Sequence, residues 1–153
     1  MTESETAVEV WRDSKMPYLV ERLNSTTAQA SMNACVNALA TQGSVWIYAT
    51  DYMAAKQVAK YTGKQILFVY NNGIQYHAYV LSITTHKTPV ACPNPTQTAF
   101  SGVTEKTWIE IADLQSGTGG VQIGTLRLVR NGNLLSASIQ NNNGPGRSIF
   151  YAQ

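Results

Sequence analysis

Charge is scarce in this chain. Asp, Glu, Lys and Arg make up only 13% of 153 residues, with nine acids, eleven bases and a net charge of +2. No basic run or stripe marks a surface that tracks a phosphate backbone, so the charge balance disfavours nucleic acid as a partner. Cysteine is equally scarce. Cys35 and Cys92 form no CxxC and no disulfide framework, and nothing local says whether they pair. The two histidines, His77 and His86, do not combine with them into a zinc pattern, so no metal is expected, and no cofactor either. No run approaches the length of a membrane-spanning helix. The first residues, MTESETAVEV, are acidic and polar where a signal peptide is basic and then apolar. The expectation is a soluble chain, cytoplasmic or exported by a route that reads no N-terminal signal.

Uncharged polar residues take the place of ions. Ser, Thr, Asn and Gln supply 48 positions, a surface solvated by hydroxyls and amides. That composition fits an unknown small ligand, a glycan or a protein as partner better than a polyanion. The length suits one domain, residues 1–153, with a proper core. Residues 1–6 read as a disordered tail.

The strongest local signal is Asn72-Gly73, set between two runs rich in β-branched and aromatic residues. A type I′ turn needs positive φ at both central positions, which Asn-Gly supplies. Residues 64–85 therefore read as a hairpin with Asn71 opposite Ile74. This register puts His77 and Tyr79 on the face of Ile66 and Phe68, and Tyr76 and Ala78 on the face of Leu67 and Val69. Both faces are apolar, so the hairpin belongs in the middle of a sheet covered on both sides.

Other elements follow from period and punctuation. Residues 7–12 suggest a short strand. Ser14 as N-cap and Pro17 in the first turn suggest a short helix to about Leu23. Ala28, Met32, Cys35, Val36 and Leu39 form one apolar stripe on a helix over 27–41, ended by Gly43. Residues 44–49 read as a strand, and 52–62 as a helix capped by Thr50 or Asp51 and stopped by Gly63. The segment 86–102 reads as a loop because Pro89, Pro93 and Pro95 remove backbone donors. Residues 106–112 form a strand. A second hairpin over 121–130 and 133–140, around Asn131-Gly132, would gather Leu126, Leu128, Leu135, Ala137 and Ile139 on one face. Residues 147–152 close the chain as a strand. The fold class is α+β, with N-terminal helices packed on a curved antiparallel sheet or partial β-barrel of about five or six strands.

Two constellations could carry function. Cys35 on a helix and His77 on a following strand are the pieces of a thiolate nucleophile and its base. The segments NACVNAL and YHAYVLSI resemble the cysteine and histidine segments of NlpC/P60 and CHAP amidases. That resemblance implies a papain-like amidase or peptidase with Cys35 as nucleophile and His77 as base, although Cys35 stands later in its helix than in those families. The second constellation is aromatic. Trp46, Tyr48, Tyr70, Tyr79 and Trp108 all fall in expected strands, with flat faces for stacking and polar tips for hydrogen bonds. The succession VWIYAT, helix, GKQILFVY, HAYVLSIT, TWIEI is similar in outline to PUA-like domains such as the EVE group. That similarity implies nucleic-acid binding with a base in an aromatic pocket. The glycine-rich stretches 116–120 and 141–147, the second ending in Arg147, read as turns. The leading expectation is a binding module whose pocket or face is lined by the five rings and takes a glycan, base or peptide. The alternative is the cysteine hydrolase.

Overall fold

The computed structural model describes residues 17–24, 26–70, 73, 75–141 and 146–153. The expected tail, the strand over 7–12, the Ser14 cap and Asn71, Asn72 and Ile74 of the first turn lie outside the described residues. The elements in chain order are β1 (Tyr18–Arg22), α1 (Ala28–Gln42), β2 (Val45–Ala49), α2 (Ala55–Tyr61), β3 (Gln65–Val69), β4 (Gln75–Ala91), β5 (Thr104–Ser116), a 3-10 turn (Ile123–Thr125), α3 (Leu135–Asn141) and β6 (Ile149–Ala152). The six strands form one sheet in the order β2-β5-β4-β3-β1-β6. No described helix is long and apolar enough to cross a membrane.

The fold is α+β, but the sheet is mixed and open rather than antiparallel or closed. β1 runs parallel to β3, with Leu19 beside Ile66 and Glu21 beside Phe68. On its other side β1 is antiparallel to β6. The cause is the first described element. Residues 18–22, expected in a helix, form a strand buried on both faces. Leu19 and Val20 belong to separate cores on opposite sides of the sheet. A five-residue segment has little intrinsic preference, and burial between two strands decides its state.

The elements around this strand follow their sequence signals closely. In α1, Ala28, Met32 and Cys35 are buried, and the Gly43 N–H closes the helix on the Leu39 carbonyl with φ +75°. Val36, expected on the buried stripe, is 45% exposed, while Ser31 is buried in its place. Thr50 and Asp51 do not cap α2, which starts after Ala54 without a side-chain bond; both are used elsewhere, as described below.

The first hairpin forms, with Gly73 at φ +92°, but its register differs by one residue from expectation. Leu67 faces His77 and Phe68 faces Tyr76. A slip of one moves every side chain to the other face. Tyr76 and Ala78 therefore join Ile66 and Phe68 in the core beneath α1, and His77 lies on the face of Leu67. Both faces of β3 are buried, as a central strand requires. β4 runs on to Ala91, so the expected 86–102 loop shortens to residues 92–103. Pro89 falls within a register shift between Thr85 and Val90, a bulge that tolerates its missing N–H.

The second Asn-Gly does not make a hairpin of two strands. Only an isolated bridge joins Arg127 to Leu134, and the chain then turns into α3. Leu126, Leu128, Leu135 and Ile139 are buried together against Val20, Leu67 and Phe150, the second core. Ala137, which a strand would bury with Leu135 and Ile139, is exposed. Burial at i and i+4 but not i+2 is helical spacing.

Candidate functional site

The least ordinary feature of the molecule is a pair of buried charged side chains. Glu21 points from β1 to the face shared by Leu19, Ile66 and Phe68, beneath α1. Its side chain has no exposure. Arg147 enters from the approach to β6 and is 1% exposed. Backbone bonds hold it there. The Thr50 N–H donates to the Arg147 carbonyl at 3.0 Å, and the Arg147 N–H donates to Thr50 Oγ1 at 3.0 Å. The Ile149 N–H donates to Asp51 Oδ2 at 2.8 Å. Thr50 and Asp51 thus clasp the end of β2 to the start of β6.

The guanidinium is surrounded on several sides. Nη2 donates to Ser31 Oγ on α1. The Tyr48 ring lies against it, with Cζ 4.1 Å from the centroid, and Phe100 is 5.5 Å away. Tyr48 in turn meets Phe100 and Trp108 edge-on, at 5.4 and 5.7 Å between centroids. Nη1 stands 3.9 Å from Glu21 Oε2, too far for a hydrogen bond. Both Glu21 oxygens, Arg147 Nε and Arg147 Nη1 are buried without a hydrogen-bond partner among the described residues.

The two sides of this contact pull in opposite directions, and burial wins. Desolvation pushes the Glu21 carboxyl up to about 8, against the smaller attraction of Arg147 and with some help from Asp51. At neutral pH the carboxyl is therefore mostly protonated, and the contact joins a cation to a neutral acid. Such a carboxyl both donates and accepts. One turn along α1 from Ser31, burial pushes the Cys35 thiol up to about 12, with Arg147 opposing and Glu21 adding.

The 92–103 loop packs over this buried cluster, with Phe100 against Tyr48 and Arg147. Gln97 is buried and bonds β2 as another strand would. Its Nε2 donates to the Trp46 and Ala99 carbonyls at 2.9 Å each, and its Oε1 accepts from the Trp46 N–H at 2.8 Å. The loop then places Phe100 at φ +61°, a left-handed conformation rare for a large side chain and worth about 1–3 kcal/mol of strain.

The residues expected from sequence divide. Tyr48 lies against Arg147 and meets Trp108 edge-on; Trp108 is fully buried and donates from Nε1 to the Val90 carbonyl at 2.9 Å. Trp46 lies two residues before Tyr48 on β2 and is half-buried. Tyr70 follows β3, half-buried. Tyr79 is 45% exposed on β4, its hydroxyl near Gly63, so the five rings do not share one face. The expected Cys35–His77 pair is not assembled. Cys35 is in the core with Ala78, whereas His77 shares the opposite face with Leu67, where its Nδ1 sits 3.1 Å from the Gly117 carbonyl.

Glu21, Ser31 and Phe100 carry no site signal in the sequence, and Arg147 stands out only as the charge that ends a glycine-rich turn. The one available hint was the strand-like alternation of Tyr-Leu-Val-Glu-Arg, which sets a carboxylate on an apolar face. Among the described residues no group of three or more His, Cys, Asp or Glu could hold a metal ion. Compared with known proteins, the chain matches no family model, no curated protein and no solved structure.

Proposed function

We propose that the chain is a binding module whose site is the buried Glu21–Arg147 cluster, opened when the 92–103 loop moves aside, and that its ligand is a planar ring with a lactam edge, an N–H beside a C=O, as in uracil or guanine. The observation behind this reading is the buried contact of Glu21 with Arg147 at 3.9 Å, with four polar atoms left without hydrogen bonds among the described residues. A protonated carboxyl pairs with a lactam through two parallel bonds, one given and one accepted. Arg147 Nη1 alongside adds a donor, which favours a ring carbonyl over a ring amino group.

A chain that needed only a core would do as well or better without this pair. Replacing both members of a buried polar contact by apolar residues of similar shape can be nearly neutral or stabilising. The strained Phe100 and the Gln97 amide that bonds its loop to β2 suit a cover that yields to a ligand. Tyr48, named from the sequence, supplies an aromatic face beside Arg147, with Trp108 packed edge-on against it.

The test is a titration of the full chain with uridine, guanosine, adenosine and cytidine at pH 7, followed by amide NMR. Uridine or guanosine should shift the Ser31, Tyr48, Phe100 and Arg147 amides saturably and bind at least about tenfold tighter than the other two, one good hydrogen bond's worth. Glu21→Leu, checked as folded by its own amide spectrum, should abolish the shifts. Silence of these amides toward all four nucleosides, or unchanged binding by Glu21→Leu, would overturn the proposal.

A further inference from the structure

A second concavity lies on the far side of the Thr50–Arg147 clasp. It is a cleft of about 490 Å³ between α2, residues 128–130 and β6. That volume is within the usual range for a small-molecule site, about 300–1,000 Å³. Its walls combine three kinds of group.

The first is an aromatic pair. Tyr61 and Tyr151 stack with centroids 5.2 Å apart and planes inclined by 18°. Burial pushes both phenols up to about 12, with Tyr61 further raised by Tyr151 and Tyr151 by Asp51, so both remain O–H donors. The second is a pair of cations, Lys60 and Arg130, both exposed and both lining the cleft. Among the described residues neither forms an ion pair; Lys60 Nζ stands 5.7 Å from the Tyr61 centroid. The third is acceptor chemistry. Gln57 Oε1 is buried without a hydrogen-bond partner among the described residues, and Asp51 lines the cleft with Oδ2 taken by the Ile149 N–H.

We infer that this cleft is a binding site for a small aromatic anion, a flat ring carrying a carboxylate or a phosphate. The two cations outnumber the one carboxylate, and that carboxylate is already engaged by a backbone donor. The two cations and the phenol of the half-buried Tyr151 are donors, which suits an anion. The tyrosine pair and the apolar wall of Leu128, Val129 and Phe150 suit a ring. Gln57 adds an acceptor for a hydroxyl or N–H on that ring. This site is separate from the buried cluster, and its ligand does not depend on the reading given for Glu21 and Arg147.

Phenyl phosphate, benzoate, benzyl alcohol and inorganic phosphate, titrated separately into the full chain, test it. Phenyl phosphate or benzoate should move the amides of Gln57, Arg130 and Tyr151 saturably, and whichever binds tighter identifies the anionic group. Benzyl alcohol and inorganic phosphate should each bind at least tenfold more weakly. Lys60→Gln with Arg130→Gln, two exposed positions, should weaken the better anion at least tenfold. Tyr151→Leu should weaken it as well. The inference fails if neither aromatic anion gives saturable shifts there, if the double variant binds unchanged, or if inorganic phosphate binds as tightly as phenyl phosphate. Shifts confined to Ser31, Tyr48 and Arg147 would also end it, because they would place the anion in the buried cluster.

Discussion

Glu21→Gln should flatten the dependence of stability on pH between 5 and 8. The unfolded carboxyl loses its proton near 4.5, whereas burial holds the folded carboxyl protonated up to about 8. Below 4.5 both states are protonated and the group is neutral to the balance. Above 4.5 the unfolded chain releases a proton that the native chain retains, so stability falls as pH rises, by up to about 1.4 kcal/mol per pH unit, and the fall ends once the native carboxyl ionises. Integrated from pH 5 to pH 8 with these two values, the loss is about 3–4 kcal/mol. The group is fully buried, so solvent screening does not reduce this figure, and it is a large part of the stability of an ordinary domain.

Urea denaturation of the wild type and of Glu21→Gln at pH 5, 6, 7 and 8 measures it. With a slope of about 2 kcal/mol per molar urea, the wild-type midpoint should fall about 1.5–2 M further than that of the variant over this range. Both histidines are present in both proteins and cancel in the difference. A constant offset between the two curves would refute the reasoning, because it would mean that the carboxyl titrates alike in the folded and unfolded chain. Replacing the carboxyl with an amide also leaves two polar atoms to satisfy, so the absolute offset is uninformative and the slope is the quantity to read.

Cys35 should resist iodoacetamide at pH 8 in the native protein, because its thiol is fully buried and pushed up to about 12, and the half-buried Cys92 should react first; mass spectrometry after a timed quench reads the order, and prior alkylation of Cys35 would contradict its burial. Gln97→Ala should cost about 1–3 kcal/mol, since it strands the Trp46 N–H on the edge strand. It should also speed hydrogen exchange at Trp46 while leaving Ile109 on the neighbouring strand protected, and unchanged exchange at Trp46 would refute the clamp.

What could be read from the residues depended on range. α1, β2, α2 and β5 each rest on local signals, an apolar stripe or an apolar run, with Gly43 and Gly63 following the two helices, and these are legible. The first Asn-Gly turn was legible as a turn but not as a register, because a one-residue difference in the loop is invisible in composition and decides which face His77 takes. The strand at residues 18–22 was misread because a Pro after a Ser imitates a helix start, and because its true partners, β3 and β6, lie at 65–69 and 149–152. α3 was misread because Leu135 and Ile139 fit both a two-residue and a four-residue period, and only the exposure of Ala137 separates them. The buried cluster was beyond reach for the same reason as β1. Positions 21, 31, 48, 100 and 147 meet only through the finished sheet.

The location of the buried cluster follows from how that sheet ends. β2 and β6 are its two edges, and curvature brings their ends close enough for Thr50 to bond Arg147 and Asp51 to bond Ile149. A ladder there would have closed a barrel and filled the gap with paired backbone. The connection is made instead by two side chains and one backbone bond, so the sheet stays open while its edges are held. Each exposed edge strand also needs its donors answered. On β2 the answer is the Gln97 amide, which brings Phe100 over Tyr48; on β6 it is residues 127–129, which pair with Tyr151 and Gln153. The buried cluster is covered by what seals one edge and the cleft is walled by what seals the other, with the Thr50–Arg147 clasp between them. A ligand that displaced the 92–103 loop would therefore release the β2 edge without disturbing β6, and the two sites can be tested separately for that structural reason.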